Sequence, residues 1–532
     1  MLIDIFLQET LPLPPAHMCG RLSFFGVSLS FAACAKRRRS CFLRQTEPFL
    51  WMKKGRVLMS EITVLDLGII GLYLVGMLLV GVWFVKRIKN TDDFYVAGRT
   101  LGPVVLMATV CATIIGGSAM MGRAAVAYQE GFKAVATAVP YMIGMFIFAG
   151  YSGRIQRVGE KYGVESIPEL FGMRFGKTAK CVLAVMVVFA MVGTVAAQVT
   201  ATATIIKLLG GQVGISYEMG AFIATLIFII YTAASGLFGV VYTDVVQFFM
   251  LIIFVYLLIP TSSISYLGGL GEFWQGLDKR YITPYINGEI LGDIVTYLVF
   301  TMAGAEMWQR SFAAKSPKAA KKGMFWGTFA YAVTIILLFT MGLAAQQILP
   351  DVVGEYGTAD AVIPALAIKI LPPGLTGLAL SGILSVMMST ADSYLLVSVQ
   401  TVVHDLGKTF KPDMTQKHEI LFSRIASVVL ALGALVIALY IHSAYTVVTL
   451  SFTFYAAAAG LPALAALYWK KATNAGVLSA MIGGFSVTVI WKLLDQPFGL
   501  GAAIPGSLVC GALLVFVSLA TYKTKPSVVL EV

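Results

Sequence analysis

From about Ile62 to the end of the chain, apolar residues come in long blocks, broken by short polar, charged or Gly/Pro-bearing segments. Read with a window of about 19 residues, the pattern predicts thirteen membrane-spanning helices. They lie near 62–85, 104–128, 133–153, 181–207, 217–237, 243–264, 290–308, 323–346, 375–400, 419–441, 445–469, 473–494 and 502–522. Each block has roughly the length a helix needs to cross a hydrocarbon core about 30 Å thick. Helices satisfy their own backbone hydrogen bonds, so the predicted fold class is an all-α polytopic membrane protein. An odd number of spans puts the chain ends on opposite faces. No repeat of about 20 to 50 residues is visible, which argues against a solenoid.

Composition agrees: 58% of residues are hydrophobic and 12% charged, about half the charge of an ordinary soluble domain. The formal charge of +12 does not point to nucleic acid, because the basic residues sit in connections between spans, not in one aromatic-laced stripe. They are also unevenly shared. One set of connections holds twenty-three Lys and Arg, among them Arg99, Arg154, Arg174, Arg310, Lys318 and Lys408, against six in the other set. The positive-inside rule then places the chain start outside and the C-terminus in the cytoplasm of a cell that carries this protein in its plasma (inner) membrane. The cysteines and the four histidines are scattered without metal-ligand spacing, so neither a metal cluster nor haem is indicated. No nucleophile and base pair up in the sequence, which argues against an enzyme.

Residues 1–58 differ in character. They hold Pro12, Pro14, Pro15 and the run Lys36–Arg37–Arg38–Arg39, with no stretch of membrane length. The order of basic and apolar parts does not fit a signal peptide. We expect a non-native or disordered extension, with translation starting at Met59, and a single transmembrane domain over 59–532.

Several residues are costly in a membrane and so are candidates for chemistry. Gly116–Gly117–Ser118 lies near the middle of the second span, where each Gly weakens a helix by about 1 kcal/mol relative to Ala. A break there would free backbone groups to meet an ion or a solute; close helix packing through small residues would also account for the glycines. In the ninth span Ser389, Asp392 and Ser393 stand at i, i+3 and i+4 and share one helical face. Three oxygen-bearing side chains on one face suit a hard cation, and a carboxylate at that depth demands a partner. Arg123, about seven residues past the glycine pair and so roughly 10 Å further along a helix, is a candidate for a carboxylate-bearing solute, with snorkelling to the interface as the alternative. Gln198, Thr301 and Glu306 are polar at plausible depth and could touch a solute or bond between helices.

Four motifs, in order and on the expected spans, resemble those of the sodium:solute symporter family. Gly98–Arg99–Thr100–Leu101–Gly102 precedes the first core helix, and Thr243–Asp244–Val245–Val246–Gln247 resembles the fifth-helix signature. Trp308–Gln309–Arg310 is similar to the sixth-helix end, and Ser389–Thr390–Ala391–Asp392–Ser393 to the eighth-helix motif. The resemblance, from about Ile62 to the C-terminus, implies a LeuT-type fold: one leading helix, two inverted five-helix repeats and two trailing helices. It implies Na+ as coupling ion, held by the carbonyls of Ala112, Ile115 and Val386 and the hydroxyls of Ser389 and Thr390. A second cation would use Ser389, Asp392, Ser393 and Asp244. Asp392 departs from the hydroxyl found in the best-defined second sites, so stoichiometry stays open. The function implied is Na+-driven import of a small organic solute, and the Arg123 candidate favours a carboxylate or amino acid; the lipid bilayer is the surroundings, and no obligatory protein partner is evident. A proton-coupled carrier and an ion channel are the alternatives.

Overall fold

A computed structural model describes residues 62–85, 90–210, 214–523 and 527–531. The extension 1–58 and Met59 lie outside the described residues. Among the described residues, ten helices are long and apolar enough to cross a membrane, eleven when one bent pair counts as a single span, and shorter apolar helices occupy Val64–Val80 and Tyr217–Ile230.

The leading helix α1 (Val64–Val85) is fixed at its start by Asp66, which accepts from the hydroxyl of Thr63 at 2.6 Å and from the backbone N–H groups of Gly374 and Gly377 at 2.8 Å each. Gly102 and Pro103 start α2 (Pro103–Ile114), the proline standing where a missing N–H costs nothing. At Ile115 the backbone leaves helical geometry (φ −87°, ψ 67°), and after a π-turn α3 (Arg123–Glu130) continues at 58° to the helix before it. The break therefore falls beside the Gly116–Gly117 pair.

Next come α4 (Lys133–Tyr162), α5 (Lys177–Leu209) and α6 (Tyr217–Met250). The sequence predicts two spans over 217–264 with a connection between them. The chain instead turns at one residue, Gly236 (φ 53°, ψ −173°), a backbone conformation that glycine alone tolerates easily, and then runs on through Leu251–Leu257. A second interruption, at Gly304 (φ −51°, ψ 101°), separates α7 (Gly288–Ala303) from α8 (Ala305–Ala313). The remaining long helices are α9 (Pro317–Ile348), α10 (Leu375–Val399, running on to Phe410), α11 (Gln416–Tyr440), α12 (Ala444–Tyr468), α13 (Asn474–Leu493) and α14 (Ala503–Thr521).

Every residue of α10 from Ala379 to Val399 is buried, which makes it the central helix. It packs on α1, α2, α5 and α6, while α7 and α9 both flank α4 and the trailing pair α13 and α14 rests on α12. Outward-facing positions are apolar, as at Leu72, Phe222, Ile336 and Val429, a surface suited to lipid tails and not to water. Along α4 the two sets of basic residues separate: Lys133 is its first residue, and Arg154, Arg157 and Lys161 lie in its C-terminal part. Two members of the larger set correct the sequence reading. Arg174 and Arg310 are buried and not exposed in connections: Arg174 donates to the carbonyls of Ala465, Ala466 and Trp469, and Arg310 to Thr109, Thr113, Ser393 and the Glu306 carbonyl.

Candidate functional site

The break in α2 has a defined hydrogen-bond cause. In an unbroken helix the N–H of Gly117 would bond the carbonyl of Thr113; it donates instead to Oε1 of Gln198 on α5, at 2.6 Å. The carbonyls so released face α10. Ser389 Oγ donates to the Ala112 carbonyl at 3.0 Å, and Thr390 Oγ1 lies 3.4 Å from that oxygen and 3.3 Å from the Thr113 carbonyl. Ser389 Oγ is also 3.2 Å from the carbonyl of Val386. Two hydroxyls and several carbonyl oxygens thus converge between two helices, all buried together with Ile115. A hydroxyl can turn its hydrogen away and present a lone pair, so the cluster can change from self-bonded to cation-binding without moving backbone. The glycines permit this approach: a Cβ on Gly116 would stand 2.8 Å from Thr390 Oγ1, and one on Gly117 would stand 2.1 Å from Met387 Sδ.

A second polar cluster lies on the adjoining face of α10. Asp392 accepts from Thr232 at 2.5 Å, and Asp244 accepts from Thr109 at 2.5 Å; one oxygen of each carboxylate is buried without a donor. Arg310 enters this cluster, donating to Ser393 at 2.6 Å and to Thr113 at 2.5 Å, with Asp244 at 3.5 Å. Ser393 donates to the Ser389 carbonyl at 2.8 Å, which joins the two clusters. Ser389, Ser393 and Asp244 are therefore linked through Arg310, Thr109 and Thr113, while Asp392 pairs with Thr232. Of these, Arg310 stands in the Trp308–Gln309–Arg310 motif without its partners being readable, Thr109 and Thr113 show only helical spacing in α2, and Thr232 of α6 gives no signal.

Arg123 does not snorkel. It is buried, donates to the hydroxyl of Tyr331, and places its guanidinium carbon 4.9 Å from the ring centre of Tyr297 and 5.8 Å from that of Tyr141. Among the described residues no carboxylate pairs with it. It lines a cavity of about 30 Å³ together with Gly116, Thr390, Tyr141 and Tyr394. That volume holds a water or two and is too small for an organic solute in this conformation. Gly122, its neighbour in sequence, lines a second cavity of about 500 Å³, shared with Glu130, Lys133, Glu289, Asp293 and Lys492 at the far end of the bundle from Arg154. Arg123 thus stands between a wide polar vestibule and a small aromatic pocket beside the hydroxyl cluster.

The other predicted solute contacts separate. Gln198 is committed to the break, through Gly117 and the carbonyl of Thr194. Thr301 donates to the Leu298 carbonyl at 2.7 Å, packs against Gly144 of α4, and lines neither cavity. Gln198 thus bonds between helices, whereas the Thr301 hydroxyl bonds within its own helix. Glu306 is buried at the Gly304 break, with Tyr394 Oη 3.4 Å from one of its oxygens. The side chain of Ser118 lies outside the described residues. At the end of the bundle holding Arg154, Glu165 sits between α4 and the next short helix, 4.0 Å from Arg99, and burial pushes its carboxyl up to about 8.

Broken helices at mid-bundle, with oxygen clusters on the facing helix and a small pocket beside them, are the architecture of a secondary transporter. Residues 94–484 match the family model described as the sodium:solute symporter family. The chain belongs to that family. The sodium/pantothenate symporter of Escherichia coli (strain K12) is 28% identical over 441 residues, covering 80% of this chain and 89% of that protein. The sodium/proline symporter of the same organism is 27% identical over 439 residues, covering 79% and 86%. A solved structure of a Na+-coupled sialic acid symporter, in a substrate-bound outward-open state and described as revealing a novel Na+ site, superposes with a TM-score of 0.73. It has 19% identity and covers 88% of this chain and 100% of that one. The fold is accordingly that of a symporter. The chain's relatives are transporters and not enzymes, and the family implies Na+ as the coupling ion with a small-molecule solute.

Proposed function

We propose that this chain imports a small carboxylate solute, amino-acid-like by preference, by coupling it to inward Na+ movement through thirteen spans with the chain start outside. The observation that carries the solute class is Arg123, a buried guanidinium lining the small pocket with no acidic partner among the described residues. A buried cation without a counter-ion is costly, and a bound carboxylate relieves that cost. Proline, pantothenate and sialic acid, named for the relatives and the structural neighbour, all carry a carboxylate. The separation of Lys133 from Arg154, Arg157 and Lys161 along α4 supports the orientation.

In this reading one Na+ binds the carbonyls of Ala112, Ile115 and Val386 with Ser389 and Thr390, and ties α2 to α10 while the vestibule is open. Solute then enters past Arg123, the pocket closes, and Na+ leaves toward Asp244 on the cytoplasmic side. Without it the two helices part and the solute follows. One charge moving through about 100 mV supplies about 2.3 kcal/mol, which sustains about 50-fold accumulation. Whether Ser389, Asp392, Ser393 and Asp244 carry a second Na+ depends on Arg310, already seated among them as a fixed cation. The unpartnered oxygens of Asp244 and Asp392 support one further reading, a proton-coupled carrier.

Arg123→Gln tests the solute class. Loss of a charge-assisted bond of about 1.5–3 kcal/mol predicts at least about tenfold weaker uptake of the native carboxylate solute, with Na+ binding retained. Unchanged solute affinity rejects the assignment.

A further inference from the structure

α2 keeps its helical hydrogen bonds as far as the N–H of Ile115, which donates to the Cys111 carbonyl at 3.1 Å. There ψ is 67°, against about −42° in a helix. The peptide plane carrying the Ile115 carbonyl is therefore turned by roughly 110° from its helical orientation. Both carbonyls that α2 lends to the Na+ site, those of Ala112 and Ile115, depend on this interruption: in a continued helix they would bond the N–H groups four residues on.

A helix cut in mid-bundle has N–H groups and carbonyls to satisfy, and away from water only protein atoms can do so. For the N–H of Gly117 the choice lies between two acceptors. One is the Thr113 carbonyl, which would close the helix again; the other is Oε1 of Gln198 on α5, which accepts it at 2.6 Å. Gln198 is fully buried, and its amide nitrogen donates to the Thr194 carbonyl, one turn back on α5, at 3.3 Å. That second bond fixes the amide with its oxygen toward Gly117, since the reverse orientation would set donor against donor. α5 also approaches the break closely: a Cβ on Gly117 would lie 2.9 Å from that of Ala201. With the Gly117 N–H held away, the Thr113 carbonyl is left to Thr390, 3.3 Å off.

We infer that Gln198 is a positioning residue for Na+: it lends the ion no ligand, and it sets Na+ affinity by holding α2 open at Gly117. A closed helix offers the ion neither carbonyl, so the apparent affinity scales with the fraction of chains in which the break is open. This rests on the Na+ site proposed above and adds α5 to the two helices, α2 and α10, that compose it.

The experiment titrates NaCl, balanced with choline chloride, against the thermal stability of the purified full-length chain. The buffer holds no solute, so loss of a solute contact alone moves nothing. Gln198→Met keeps the length of the side chain without its carbonyl oxygen. In this variant the Na+ concentration for half-maximal stabilisation should rise at least about fivefold, the shift expected when a buried N–H loses its acceptor. Melting without Na+ should stay close to wild type, because the freed N–H returns to Thr113. Gln198→Glu keeps an acceptor at the same reach and should stay within about threefold of the wild-type midpoint. A wild-type midpoint in Gln198→Met overturns the inference, whether or not that variant melts lower without Na+; so does an equal rise in Gln198→Glu. Should Gln198→Met not fold, Gln198→Asn is a methylene too short to hold the bond to Gly117 and carries the same expectation and the same refutation. Ser389→Ala combined with Thr390→Ala, in the same titration, separates the two readings. If that pair leaves the midpoint unmoved, the Na+ site itself fails; a shifted pair beside an unshifted Gln198→Met removes only the role of Gln198.

Discussion

Replacing Ser389 and Thr390 together by Ala removes the two hydroxyls that reach from α10 to the broken end of α2. Both lie within hydrogen-bond range of the Ala112 carbonyl, at 3.0 and 3.4 Å, and the site they form is buried. An interaction with a charged group contributes about 1.5–3 kcal/mol, so losing two oxygen ligands to Na+ costs about 3–6 kcal/mol. Part of this is offset. Without Na+, the Ala112 carbonyl also loses both donors, which raises the ion-free state by about 1–3 kcal/mol. The net expectation is about 2–4 kcal/mol, a rise of roughly 30- to 1,000-fold in the Na+ concentration for half-maximal uptake. Uptake into proteoliposomes over a Na+ series measures it, and thermal stability in NaCl against choline chloride gives a second readout that needs no solute. A half-saturation within about threefold of wild type, on a scale where 1.4 kcal/mol is tenfold, would refute the site and the coupling built on it.

Three further substitutions probe the scaffold, one of them a control. Gly117→Ala places a Cβ 2.1 Å from Met387 Sδ and 2.8 Å from Gln198 Oε1; overpacking of this kind costs about 1–3 kcal/mol. Na+ affinity should fall, whereas Gly68→Ala, with nothing within 4 Å, should leave it unchanged in the same titration. Glu165 is raised from 4.5 to about 8, chiefly by burial; Asp92 and Glu169 add to the rise and His404 opposes it. Between those values the folded chain holds a proton that the unfolded chain has lost, so stability falls as pH rises through the window. Melting curves from pH 5 to pH 9 should therefore show wild type losing stability relative to Glu165→Gln, and parallel curves would contradict the shift.

How much of this was legible in the sequence depended on whether a signal was local. Paired glycines at Gly116–Gly117 mark a break because two weak helix formers adjoin at mid-span, and the interruption lies beside them. Gly304 and Gly236 produce breaks of equal consequence, yet a single glycine in an apolar run is also a common packing residue, so neither was readable. The face formed by Ser389, Asp392 and Ser393 follows from helical spacing alone. Its partners do not: Thr232 and Arg310 are distant in sequence, and only tertiary packing brings them to Asp392 and Ser393. Arg310 stands at a span end, where arginine ordinarily meets water, and nothing local shows that α2 and α10 supply it with hydroxyls. Gln198 is the converse case. Its depth was legible, but its role in drawing Gly117 out of the helix needed the position of a neighbouring element.

The most direct test of coupling uses purified protein in proteoliposomes offered, from outside, a small carboxylate panel that includes L-proline and pantothenate. An inward Na+ gradient with no proton gradient should drive accumulation above equilibrium, and an interior-negative potential of about 100 mV should raise it by up to about 50-fold per net charge moved. Accumulation driven by a proton gradient in Na+-free buffer, or conductance without accumulation, would contradict the account.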